Sequence, residues 1–207
     1  MVLSPPEMKL QFDERSGRMI LFINACVRKA SRTKRLADVL LQQLGEPVTE
    51  LALSDVSLPP VDEAYLQTRD RLLSEGAYQH PMFDMARQFA AADRIVIAAP
   101  FWDLSFPAAL KQYFEQINAI GVTFCYTEDG RPMSLCKAKA LYYVATAGGT
   151  FFPEEYGFGY VQALAEQFYG IPECTLFKAV GLDLDGADAE QILRECKAQI
   201  RNTIHNT

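Results

Sequence analysis

The chain has 207 residues, 49% of them hydrophobic and 22% charged, with 26 acidic against 20 basic side chains and a formal net charge of -6. That composition suits one globular domain with a full core. The acidic balance argues against nucleic acid or an anionic membrane as the main partner, because both require a basic surface that releases counterions. A small molecule is the expected ligand.

No window approaches the roughly 18 to 20 apolar residues of a membrane span. The N-terminal MVLSPPEMKLQFDERSGRM has no apolar signal-peptide core, so a cytoplasmic protein is expected. Cys26, Cys125, Cys136, Cys174 and Cys196 are odd in number and contain no CxxC pair. They read as reduced thiols, with neither a disulfide framework nor a metal site implied.

Residues 1–18, with Ser4-Pro5-Pro6 and a charged run, read as an N-terminal extension to one domain over 19–207. From Met19 the chain alternates short β-rich runs with amphipathic segments, the pattern of βαβ units and a parallel sheet. MILFIN, Met19 to Asn24, is the first strand, and Ser31 to Leu44 is a helix with Leu36, Leu40 and Leu44 on one face. Val48 to Leu53 is the second strand. Helical segments follow around Glu63 to Ser74 and Pro81 to Ala91, before a third strand from Arg94 to Ala98.

Pro107 fits the first turn of the next helix, in which Leu110, Phe114 and Ile117 recur at core spacing and which stops near Gly121. Val122 to Tyr126 alternates like a strand and turns at Glu128-Asp129-Gly130, so a hairpin excursion near 122–138 is expected. Lys139 to Ala145 and Thr175 to Val180 complete five main strands, with helices at Phe158 to Tyr169 and Ala187 to Asn202. The expected fold class is α/β: a flavodoxin-like, doubly wound, five-stranded parallel sheet of order 2-1-3-4-5 with helices on both faces. Right-handed crossovers then bring the loops after the first, third and fourth main strands to one rim.

Those loops carry the chemistry. Asn24 to Thr33 (NACVRKASRT) leads into a helix N-terminus with hydroxyls at Ser31 and Thr33 and cations at Arg28 and Arg32, a setting for a phosphate dianion. Ser31 reads equally as a plain helix cap. There is neither GxGxxG nor GxxxxGK[ST], which leaves a mononucleotide as the better candidate than a dinucleotide or nucleoside triphosphate.

Pro100-Phe101-Trp102-Asp103-Leu104 sets aromatic surface and backbone donors against a flat ring, although such aromatics also read as ordinary core. An Asp103 carboxylate facing a reduced, anionic flavin would oppose its reduction, so that side chain is expected to turn toward the N-terminus of the Pro107 helix. Thr146-Ala147-Gly148-Gly149 offers amides that the pyrimidine edge of an isoalloxazine can approach closely. The aromatic run that follows, including Phe151, can wall a pocket or pack as core.

At these loops, from Met19 to about Asn202, the chain resembles the FMN-dependent NADH-azoreductase and NAD(P)H:quinone oxidoreductase family. The matching blocks are PFWDLSFPAALKQYF, GVTFCYTEDG, the Thr146 to Gly149 turn and QFYGI at 167–171. The resemblance implies a homodimer with one FMN per subunit, each site at the dimer interface. It assigns Ser31, Arg32 and Thr33 to the phosphate, Pro100, Phe101, Trp102, Asp103 and Leu104 to the ring, and Thr146, Ala147, Gly148 and Gly149 to the pyrimidine. Phe124, Tyr126 and Phe151 would wall the substrate pocket. Asp103 stands where many relatives carry Asn, and Cys26 where a serine is common.

The implied reaction is ping-pong transfer of two electrons from NADH or NADPH through FMN to a quinone or azo-type acceptor. The cofactor then does the bond chemistry, and no catalytic side chain is required. His80 and His205, the only histidines, sit in no triad-like or metal-ligand setting. A flavodoxin-type electron carrier without NAD(P)H turnover and a flavin-free protein on the same scaffold are the competing readings.

Overall fold

A computed structural model describes residues 18–205. Residues 1–17 of the expected N-terminal extension lie outside the described residues.

The main strands are β1 (Ile20–Asn24), β2 (Val48–Ala52), β3 (Arg94–Ala98), β6 (Ala140–Thr146) and β7 (Glu173–Ala179). They form one parallel sheet in the order β2-β1-β3-β6-β7, which is the expected 2-1-3-4-5 arrangement of main strands. A separate antiparallel pair, β4 (Phe124–Tyr126) and β5 (Pro132–Ser134), is the expected hairpin excursion. Its first strand begins two residues later than the alternation suggests, because Val122 and Thr123 fold back onto the carbonyl of Ala119.

Side-chain alternation in the buried strands explains the two-sided core. Leu21, Ile23, Ile95, Ile97, Leu141 and Tyr143 face one helix layer, while Ile20, Phe22, Val96, Ala98, Tyr142 and Val144 face the other. The first layer contains α2 (Glu63–Ser74), α3 (Asp84–Ala91), α4 (Ala108–Ile117) and α5 (Phe158–Gln167). The second contains α1 (Arg32–Leu44) and α6 (Ala189–His205), which pack on each other and are joined by a bidentate Arg35–Glu190 pair.

Leu36 and Leu40 on α1, and Leu110, Phe114 and Ile117 on α4, are buried as their spacing requires. α4 starts one residue after Pro107, which is its N-cap, and ends at Ile117. The following Asn118 to Val122 turn is closed by Thr123, whose hydroxyl donates to the Ile117 carbonyl at 2.7 Å. Among the described residues no helix is long and apolar enough to cross a membrane, and no His, Cys, Asp and Glu cluster could hold a metal ion.

Candidate functional site

The parallel register aligns Asn24 with Ala98, and Ala98 with Val144, so the chain leaves β1, β3 and β6 on the same rim of the sheet. There the three loops enclose a cavity of about 160 Å³. Ser31, Arg32 and Thr33, then Pro100, Phe101 and Trp102, then Thr146, Ala147 and Gly148 all line it. Such a crevice outside the carboxyl ends of strands is where open α/β sheets bind ligands.

The first wall is the N-terminus of α1. Ser31 is its N-cap and accepts from the Lys34 amide at 3.2 Å, while also lining the cavity. The amides of Arg32 and Thr33 have no carbonyl four residues earlier within the helix and remain available to an anion. No acidic residue stands in that first turn. Thr33 is buried and shares a 2.6 Å hydrogen bond with the hydroxyl of Thr146, which fastens the start of α1 to the turn after β6.

Cys26 lies outside the cavity lining, buried beneath the loop with its thiol donating to the Ala98 carbonyl at 3.7 Å. Burial pushes its pKa up, against the lowering effects of Ser31 and Lys34. It is therefore a neutral thiol at pH 7 rather than a nucleophile.

The second wall is a tight turn. Trp102 and Ser105 exchange both backbone hydrogen bonds, at 2.9 and 2.8 Å, around Asp103 and Leu104, which have φ of 49° and 68°. Positive φ at both central residues is the type I′ pattern that favours Asn-Gly, and Leu adopts it only under strain. The Ser105 hydroxyl donates to the Tyr156 carbonyl at 2.6 Å, and the rings of Phe101 and Phe152 lie 4.2 Å apart, so the turn leans on the aromatic segment after β6.

Asp103 does not cap α4 as expected: that N-terminus has no side-chain cap, and Asp103 is exposed at the tip of the turn. The I′ geometry aims the tip out from the sheet instead. Asp103 and Leu104 consequently flank the cavity without lining it. Replacing the pair by Asn-Gly should relieve the backbone strain and stabilise the protein by about 1 kcal/mol, raising Tm by about 2–4 °C. A thermal melt of the D103N/L104G double variant checks this, and a lower Tm would contradict it.

The third wall is the turn after β6. Gly149 is exposed and outside the lining, where its carbonyl accepts from Gly181 at 2.8 Å. Gly148 is the tight point, since a Cβ built there would lie 2.4 Å from Oδ2 of Asp183. Asp183 also lines the cavity and holds Arg32 through a 2.8 Å ion pair, while Arg32 donates to the Leu182 carbonyl at 3.2 Å. Nothing in the local sequence separates Asp183 from the neighbouring Asp185 and Asp188; only the fold brings it to the rim.

Of the expected pocket walls, Phe124, Tyr126 and Phe151 do not line this cavity within the single chain. Phe124 is buried edge-on against Phe168, with ring centroids 4.7 Å apart, and so serves as the hairpin's own core. Tyr126 and Phe151 are 44% and 74% exposed.

A cavity with an anion-ready helix end and a close-approach turn, at the rim of a doubly wound sheet, marks a mononucleotide-binding α/β protein. The chain belongs to a family described by its flavodoxin-like fold, whose profile matches residues 18–204. It is similar to the FMN-dependent NADH:quinone oxidoreductase of Clostridium beijerinckii, at 32% identity over 196 residues covering 90% of this chain and 98% of that protein. The protein of the same description from Coprothermobacter proteolyticus is 40% identical over 183 residues, covering 83% and 90%. Among solved structures, an FMN-dependent NADH-azoreductase from Bacillus anthracis in complex with FMN has a similar fold, with a TM-score of 0.77 at 21% identity over 92% and 99% of the two chains. The family resemblance carried by the loop motifs therefore holds.

Proposed function

We propose that this single-domain protein is an FMN-dependent NADH oxidoreductase that passes two electrons to a quinone or azo-type acceptor in the cytoplasm. The observation that carries the reading is the convergence of all three loops on one cavity. The names of the relatives support the cofactor and the electron donor.

The residues present fit the cofactor. Free amides at the start of α1, with Arg28 and Arg32 beside them, suit a terminal phosphate, and Arg28 has no carboxylate partner among the described residues. The lack of a side chain at Gly148 keeps the turn after β6 open to a flat edge. When bound, FMN supplies the two-electron redox chemistry.

The chain's residues then bind and orient. Arg32 and Thr33 hold the phosphate end through their amides, and Phe101 and Trp102 wall the ring. The Thr33–Thr146 bond keeps the two ends in register. Arg28, Arg32 and Asp183 are the charged residues of the lining, and with the redox chemistry carried by the cofactor no side-chain nucleophile is required.

Nicotinamide and acceptor would use the open side of this cavity in turn, as ping-pong exchange requires. Trp102 in the lining and Phe151 two residues after Gly149, exposed at 40% and 74%, fit a homodimer in which the second subunit covers them.

The test is a visible spectrum of the purified protein with added FMN, followed by anaerobic mixing with NADH and, separately, NADPH. A yellow protein bleached by a reduced nicotinamide and re-oxidised by a quinone or azo dye is the expected result. A protein that stays colourless, or a yellow one that neither nicotinamide bleaches, overturns the reading.

A further inference from the structure

Asp183 is an anion in a cavity built for an anion. The loop that carries it is laddered to the turn after β6: Leu182 and Asp183 donate to the carbonyls of Ala147 and Gly148 at 3.2 and 3.0 Å. That ladder sets the backbone from which the carboxylate, 64% exposed, reaches over Gly148, with one oxygen 2.4 Å from where a Cβ would stand. The other oxygen takes the Arg32 guanidinium at 2.8 Å, and a second Arg32 nitrogen is tied to the Leu182 carbonyl. A cation at the first position of α1 is thus held by the protein's own carboxylate.

We infer that Asp183 is a specificity-determining residue that competes with the ligand's phosphate for Arg32 and so sets how weakly a phosphorylated flavin is held relative to an unphosphorylated one. The inference rests on the FMN reading above. Two guanidinium groups and one carboxylate line the cavity. A phosphate dianion entering it must share or displace Asp183 on Arg32 and feels like-charge repulsion from the carboxylate. A ligand without the phosphate feels neither.

The role differs from a purely structural one because it depends on ligand charge. Asp183→Asn keeps the shape and the backbone ladder while removing the charge. It should tighten FMN about tenfold and leave riboflavin within about twofold. Its FMN affinity should also fall more steeply than the wild type's as salt is raised, since the cavity then carries a larger positive charge that salt screens. Asp183→Ala, which frees Arg32 altogether, should tighten FMN at least as much.

The experiment is a fluorescence-quenching titration of apoprotein with FMN and with riboflavin, at low and high salt, for the wild type and both variants. Thermal melts confirm that the variants are folded. Selective tightening toward FMN supports the inference. Equal shifts for the two flavins, unchanged FMN affinity, or weaker FMN binding in both folded variants overturns it while leaving the FMN reading in place. If no form of the protein binds FMN, the functional reading falls and this inference falls with it.

Discussion

Replacing Gly148 with Val should weaken FMN binding about 100-fold, or roughly 2.7 kcal/mol, while leaving the protein folded. The loss is steric rather than conformational, because Gly148 is absent from the glycines held at positive φ. A Cβ there would meet Asp183 at 2.4 Å from Oδ2, 3.1 Å from Cγ and 3.2 Å from Cβ. Asp183 cannot retreat with its backbone, which is bonded to Gly148 itself at 3.0 Å. Its side chain must swing aside, and the two Val methyl groups then occupy space that the ligand needs. Titration of the apoprotein with FMN measures the effect, and an affinity within twofold of wild type would contradict the proposed contact at this turn.

The three loops were legible because each follows a strand buried on both faces. MILFIN, RIVIA and KALYYVA read as short apolar runs with side chains for two helix layers, and the place where each run stops is the rim. β2 is the contrasting case. Its VTELA has exposed and intermediate positions only, since it lies at the sheet edge beside β1 alone.

What the sequence concealed was set by tertiary contact. Arg32 and Asp183 are 151 positions apart, and their pairing exists only through the β6 to β7 neighbourhood. The Asp103-Leu104 turn was equally hidden, because a type I′ turn announces itself through Gly or Asn and neither is present. The packing of Phe124 was hidden too: nothing local says that this hairpin aromatic lies against Phe168, 44 positions on, where it gives the two-stranded sheet a core of its own.

That packing makes the base of the hairpin a sensitive point away from the cavity. Gly121 has φ of 83°, and a Cβ added there would lie 2.6 Å from Cε1 of the Tyr78 ring and 3.0 Å from its Cζ. Its amide donates to the Phe124 carbonyl at 2.7 Å, the bond that returns the chain from α4 into β4. Gly121→Ala therefore adds a strained backbone, at about 1–2 kcal/mol, to a clash with a ring, at about 1–3 kcal/mol. The Tyr78 backbone is held where its carbonyl accepts from Arg87 at 2.6 Å, so the ring itself must turn to make room. A net loss of about 3 kcal/mol corresponds to a fall in Tm of about 6–12 °C for a chain of this size. Thermal melts compare the variant with wild type. A Tm within 2 °C of wild type would show that the hairpin base tolerates a side chain there. A large fall with FMN affinity preserved below the transition would place this turn in the scaffold and outside the site.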